Sequence, residues 1–500
     1  MNEIIIPGRE DFLSLLNGAR MIPFSPNFIS VDNSGLEQLI DMDEFDPTSR
    51  YVISPEVRTF ASGNWQVLFQ RIPPTLAFVR NETYRKIDTN GVVLLDLDQT
   101  KILYDTGFLD KQGHQIDRTR IMKERFKESK PFFKATYLFP TDFCNLNCHY
   151  CNVEHNMPKD YVHGHMSIPT AKKSIDLFIE NLQAVDSKDQ CRNIYISFYG
   201  GEPLMNRHTL TFAIQYSKRR LEEIGLADRS TVCLMTNGTL INEDTAKLLE
   251  EHKMNITLSI DGLKKNHDAM RVLNRKDNKG SFESALRGYE LIRNRCNVTI
   301  LCTVGNHNIE DLETIADYFS RELYPTAVEF SLVRSLKFGT NPAGIKSLDE
   351  AYEKLYNAHK ILINQGIPDN NFSRRILTFA NKLVYSYNFS RCGDTLYVAP
   401  KGRIYPCDSY LGMKKKTEIS VDSSLREIKS NETIQAWFNR HPFSIEECLQ
   451  CSSLSICGGG CPYNAEVTKG SIHDTDDQLC RLNHFVLDRI IDEVQGAVIK

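Results

Sequence analysis

Six short apolar runs recur through the middle of this chain, at 135–140, 194–199, 231–235, 255–260, 297–304 and 327–333. Helix-prone stretches such as Ile168 to Leu182 and Asn242 to His252 lie between them. Strands buried on both faces of a parallel sheet read as near-continuous apolar runs, and strand–helix alternation builds such a sheet. The repeat predicts an α/β fold, a partial (β/α)6 TIM-like barrel over 133–336. Reactive groups in such barrels collect at the C-terminal ends of the strands.

Two flanking regions complete the 500 residues. Residues 1–132 read as an α+β segment, with strands expected at Val67-Leu68-Phe69 and Val92-Val93-Leu94-Leu95, a turn at Asn90-Gly91, and a charged, helix-prone connector from Lys111 to Lys130. Residues 337–500 are richer in Gly, Pro and Cys, predict short elements, and are expected to lean on bound metal for order because their apolar content is thin. A formal net charge of -4 argues against a nucleic-acid surface over the whole molecule. No run reaches the roughly 20 apolar residues that span a bilayer. The start, MNEIIIPGREDFL, lacks a basic segment before its short apolar run, so no secretory signal is expected. A cytoplasmic location follows as the expectation, in which cysteines stay reduced and serve as metal ligands rather than disulfides.

Ten of the fourteen cysteines fall into two patterned groups. Cys144, Cys148 and Cys151 have the spacing C-x3-C-x2-C directly after the first predicted strand. Three thiolates so placed can hold three irons of a 4Fe–4S cube and leave the fourth iron open for a ligand. A structural zinc site is the alternative, but zinc prefers four tetrahedral ligands and paired C-x2-C knuckles. The second group is Cys392, Cys407, then Cys448, Cys451, Cys457 and Cys461 as C-x2-C-x5-C-x3-C, and last Cys480. A zinc ribbon at Cys448 to Cys461 is its alternative reading. Cys191, Cys233, Cys296 and Cys302 stand outside both groups and read as buried hydrophobes.

The trio, Tyr150 before its last cysteine, and Gly200-Gly201-Glu202-Pro203 after the second strand together resemble the signature of the radical S-adenosylmethionine superfamily. Thr236-Asn237-Gly238-Thr239 and Ser259-Ile260-Asp261-Gly262, with His267-Asp268 and Arg271 soon after, resemble its peptide-modifying branch. The resemblance implies S-adenosyl-L-methionine on a 4Fe–4S cluster held by the trio. It implies Tyr150 near the adenine, and the methionine amino group held by the backbone and carboxylate of Gly200, Gly201, Glu202 and Pro203. Ser259, Asp261 and Arg271 become candidate contacts to ribose and carboxylate, with Arg275 a rival to Arg271. One electron from the cluster would break a carbon–sulfur bond, and the 5′-deoxyadenosyl radical would take a hydrogen atom from an unreactive C–H bond. A one-electron donor such as flavodoxin or ferredoxin is implied as a partner.

The second group, in which Cys392 is followed by x9-Gly402-x4-Cys407, resembles the SPASM extension of radical enzymes that act on peptides and proteins. That resemblance implies two auxiliary iron–sulfur clusters of the 4Fe–4S kind. Cys448, Cys451, Cys457 and Cys480 would ligate one. Cys392, Cys407 and Cys461 would bind the other, one ligand short, so that it has an open iron, a non-cysteine ligand or a smaller core. Asp408 resembles the aspartate proposed as base in anaerobic sulfatase-maturating enzymes; a turn-capping aspartate is an equal reading. Residues 1–132 either capture a leader peptide by strand addition or cap the barrel mouth. The expected function is a maturase of a ribosomally made precursor peptide, forming a thioether or carbon–carbon cross-link. A sulfatase maturase making formylglycine is the second reading, and a non-catalytic iron–sulfur or zinc scaffold that binds a peptide is the third.

Overall fold

Each apolar run is a strand: β1 Ala135–Thr141, β2 Ile194–Gly200, β3 Ser230–Thr236, β4 Asn255–Ser259, β5 Asn297–Val304 and β6 Ala327–Leu332. They pair in parallel in sequential order. The computed structural model describes residues 3–19, 44–87, 93–129, 131–184, 194–274, 279–336, 340–385, 393–413 and 417–499. Cys191, Arg275, Cys392 and the Asn90-Gly91 turn lie outside the described residues. Helices α1 Ile168–Gln183, α2 Arg207–Glu223, α3 Glu243–Glu251, α4 Phe282–Ile292 and α5 Leu312–Tyr318 make the crossovers. α1 shows why such a segment folds as it does. Ser167 caps it by accepting the Thr170 N–H, Pro169 suits its first turn, and Ala171, Ile175, Phe178 and Leu182 recur on one buried face.

The sheet does not stop at six strands. β7 (Thr395–Val398), from the Cys-rich region, pairs in parallel with β1, and β8 (Ile404–Tyr405) closes the edge as an antiparallel partner of β7. Without them β1 would present an unpaired row of backbone groups. The Cys-rich region also holds long elements that were not expected there: α6 Leu348–Asn364, α7 Phe372–Ala380 and α8 Asp477–Val498. Their apolar faces, including Leu355, Phe379 and Val486, join the main core. Even the turns that carry the cysteines pack on apolar residues such as Phe443, Ile445 and Leu454.

The leading region forms an antiparallel sheet in the order Ile4–Ile5, Pro74–Arg80, Trp65–Arg71, Val57–Ser62. Both faces of its two central strands are buried, as the alternating directions of strand side chains allow. Phe69 meets Phe379 of α7 at 5.7 Å between ring centroids, while Leu68 packs with Leu103 and Phe108 of its own region. Val92 lies outside the described residues, and over Val93–Leu95 the expected strand does not form as such. Val93 makes an isolated bridge to Ile87, Leu94 is exposed, and Asp96 already caps the helix Leu97–Asp105. In the 111–130 connector the helix is Arg118–Glu128, begun by the Asp117 cap. Its predicted start is taken by the strand Leu109–Lys111, which pairs with Tyr51–Ile53.

Candidate functional site

A cleft of about 1400 Å³, counting its open mouth, lies at the C-terminal ends of the parallel strands. Cys144, Cys148 and Cys151 line it together with Tyr150, Gly200, Gly201, Ser259, Arg271 and Asp408. The loop carrying the trio follows β1 and is fastened on two sides. The Gly201 N–H donates to Thr141 O at 3.0 Å and the Glu202 N–H to Phe143 O at 2.8 Å. A Cβ at Gly201 would stand 2.1 Å from Phe143 O, so this approach requires glycine. On the other side the Asn147 and His149 N–H groups donate to Val272 O at 2.7 Å and Met270 O at 2.9 Å. These two bonds bracket Cys148 on one strand and Arg271 on the other, which sets the guanidinium beside the thiols.

The sulfurs already accept backbone donors, Leu146 N–H on Cys144 and Glu154 N–H on Cys151, each at 3.4 Å. Burial pushes the Cys144 and Cys148 thiols up to about 12 and also raises Cys151, and Cys144 and Cys148 each feel the charge of Cys151. Thiolates so desolvated need a cationic partner to persist. Among the described residues no three His, Cys, Asp or Glu side chains converge on a single ion.

Two predicted cofactor contacts are placed behind the cleft wall. Asp261 is fully buried, and its oxygens engage Arg271 Nε at 3.0 Å, the Thr303 N–H at 3.0 Å and the Tyr150 hydroxyl. The nearby Arg271 charge and hydrogen bonds outweigh desolvation and hold its pKa well below the usual carboxylate range. It orients Arg271 rather than facing the cofactor space. Glu202 is likewise fully buried. Its carboxylate accepts the Thr236 hydroxyl at 2.8 Å and the Asn237 N–H at 2.8 Å, tying the end of β2 to the end of β3. Burial outweighs those donors and lifts it to about 7. A methionine amino group can therefore be met by the backbone at Gly200 and Gly201 but not by this carboxylate. Pro203 is buried and opens a short 3-10 turn. Tyr150 lies under the Arg271 guanidinium at 5.5 Å, and Ser259 and Arg271 face the cleft.

The downstream cysteines sort into two places. Cys480 lies within electrostatic reach of Cys448, Cys451 and Cys457. Cys407 lies within reach of Cys461. Arg440 organises the turns between them: from full burial it donates to the carbonyls of Ile472, Gly460 at 3.1 Å and Asp474 at 3.0 Å. Asp476 bridges the two places, capping α8 and accepting the Cys461 N–H at 3.2 Å.

Asp408 faces the cleft beside Cys407, whose sulfur lies 3.2 Å from its Oδ1. That oxygen accepts the Ser409 N–H at 3.0 Å, as a turn-capping aspartate would, and also meets Arg334 Nη1 at 3.3 Å. Arg334 was not anticipated. It follows the end of β6 by two residues, where the strand-end rule for barrels would have drawn attention to it. Cys233 and Cys302 are buried as expected, and Cys296 is half-buried.

Residues 138–319 match the sequence model of the Radical SAM superfamily. The radical SAM cyclopropyl synthase TigE of Paramaledivibacter caminithermalis is 22% identical over 460 residues, covering 85% of this chain and 92% of TigE. The cysteine-type anaerobic sulfatase-maturating enzyme of Clostridium perfringens is 26% identical over 332 residues, 64% of this chain and 85% of that one. The crystal structure of Streptococcus suis SuiB bound to precursor peptide SuiA superposes with a TM-score of 0.52 at 14% identity, over 86% of this chain and 100% of that chain. The chain thus carries a radical SAM domain over residues 138–319 and is similar both to anaerobic sulfatase-maturating enzymes and to the radical SAM cyclopropyl synthase TigE. SuiB, whose fold is similar, has also been solved bound to S-adenosylmethionine. No helix among the described residues is long and apolar enough to cross a membrane.

Proposed function

We propose that this enzyme modifies a precursor peptide, abstracting a hydrogen atom and closing a thioether or carbon–carbon cross-link. The observation that carries the reading is the single cleft onto which the trio, the Ser259–Arg271 wall and Asp408 all open. When bound, S-adenosylmethionine and the reduced cluster supply the hydrogen-abstracting radical. Cys144, Cys148 and Cys151 hold that cluster. The Gly200 and Gly201 backbone, Ser259 and Arg271 grip the cofactor, Tyr150 walls its adenine, and Asp261 keeps Arg271 in place. Asp408 takes a proton from the substrate at Oδ2, with Arg334 holding Oδ1. Cys407 and Cys461 form the auxiliary site next to that base, to which the sequence pattern adds Cys392; Cys448, Cys451, Cys457 and Cys480 form the other.

The leading sheet suits capture of a leader segment. Val57–Ser62 ends the sheet among the described residues, with the face away from Trp65–Arg71 available for strand addition. The similarity to SuiB, solved bound to a precursor peptide, supports a precursor peptide as the substrate class. Formylglycine formation on a sulfatase is the second reading, favoured by Asp408 beside Cys407 and by the 26% identity to a sulfatase maturase.

Anaerobic reconstitution is expected to load roughly eleven to twelve irons per chain. Incubation with S-adenosylmethionine and a one-electron donor such as flavodoxin should release 5′-deoxyadenosine, and replacing the trio by Ala should end it. On a candidate peptide, ring closure removes two hydrogens, whereas formylglycine made from cysteine also removes the sulfur. Release of 5′-deoxyadenosine by the Ala variant would refute the trio's role.

A further inference from the structure

Helix α8 presents Cys480, Asn483 and His484 at the i, i+3, i+4 spacing that places side chains on one helix face. All three reach the same group of sulfurs. Asn483 Nδ2 donates to Cys457 Sγ at 3.4 Å and to Leu479 O at 2.6 Å. Its Oδ1 accepts from Nε of Arg375, a fully buried residue of α7, at 2.6 Å. A guanidinium can only donate, so it must take the amide oxygen, which leaves the amide N–H for the sulfur. His484 Nε2 lies 3.4 Å from Cys451 Sγ, and its Nδ1 lies 3.2 Å from the Ser452 hydroxyl. A serine that donates to Nδ1 leaves the proton on Nε2, directed at the sulfur.

We propose that Asn483, locked by Arg375, and His484 are positioning residues that donate N–H···S hydrogen bonds to Cys457 and Cys451. They thereby raise the reduction potential of the cluster held by Cys448, Cys451, Cys457 and Cys480. Reduction adds negative charge that spreads onto the sulfurs, and donors together with a buried cation stabilise that charge. At Cys407, by contrast, the backbone donor of Ser409 is set against the Asp408 carboxylate, an acceptor 3.2 Å from the sulfur. The four-cysteine site is thus the better resting place for an electron withdrawn on the substrate side. This inference rests on the reading of those four cysteines as cluster ligands.

The test uses the full-length, anaerobically reconstituted chain with Cys144, Cys148 and Cys151 replaced by Ala, titrated potentiometrically with electron paramagnetic resonance detection. The signal of the four-cysteine site is the one lost on Cys457→Ala. Asn483→Leu and Arg375→Met are expected to shift its midpoint to more negative potential at unchanged iron content, and Arg375→Lys to recover part of the shift. His484 is exposed, so His484→Leu leaves packing intact; it should also shift the midpoint negative, and it decides the matter if Asn483→Leu does not fold. Parent midpoints in fully loaded Asn483→Leu and His484→Leu proteins would overturn the proposal. If Cys457→Ala removes neither iron nor signal, the ligand assignment itself fails instead.

Discussion

The two ends of this enzyme hold their cysteines in different ways. The trio sits on a loop whose backbone is bonded to the Gly201-Glu202 turn on one side and to residues 270–272 on the other, at the mouth of a fully packed sheet. Cys448 to Cys461 sit on short turns, three of them glycines in the left-handed region at 458–460, kept in shape by Arg440 and by α8. The first site is preorganised by regular structure. The second is held by buried polar groups and by packing on Phe443, Ile445 and Leu454, with little regular structure of its own. Bound iron should therefore matter for chemistry at the first and for folding at the second.

Removing iron separates the two most sharply. With a chelator, amide hydrogen exchange is expected to rise steeply across 445–461 while β1 to β6 stay protected; equal exchange in both would erase the distinction. Arg440→Met comes next. It orphans one buried and two part-buried carbonyls at once, a loss of about 2–4 kcal/mol. Denaturant melts of the iron-loaded protein should show that loss, while the trio's share of the iron is retained.

His267 provides a third measure, on the trio's side. It is buried behind Asp261, bonded to Ser281 at 3.0 Å, and burial holds it down at about 4 from the ordinary 6.5. Between those values the unfolded chain binds the proton and the folded chain does not. Stability is thus intact above pH 6.5 and falls as pH drops toward 4, by about 3 kcal/mol at roughly 1.4 kcal/mol per unit. Parent and His267→Gln melts compared over that range should diverge by this amount; parallel curves would show that His267 charges freely. Arg58→Ala is the mildest test. It removes one exposed 3.0 Å bond from the leading sheet to Gln450 of the Cys448–Cys451 turn, and less than about 1 kcal/mol should be lost. A larger loss would mean that the leading sheet braces that turn more strongly than its contacts imply.

Much of this was legible in the residues. The six strands fall within a residue or two of the apolar runs, because parallel strands buried on both faces leave little room for polar residues. The cysteine groups were legible because ligand geometry demands fixed spacing. Asp261 and Glu202 were assigned a direction that the fold does not give them. A motif names a residue but cannot say whether its carboxylate faces the cleft or a neighbouring strand end. Arg334 and the Asn483–Arg375 pair were missed because their partners are 74 and 108 residues away.

By itself, then, the chain's order of residues determined the strand–helix repeat, the chemistry of the cysteine groups and the class of cofactor, since each depends on short-range periodicity or spacing. Tertiary structure alone decided that the Cys-rich region completes the central sheet, that Asp408 and the trio share one cleft, and that two acids serve as internal braces. Those outcomes turn on which distant groups are brought together and desolvated, a matter of packing and burial that no local pattern encodes.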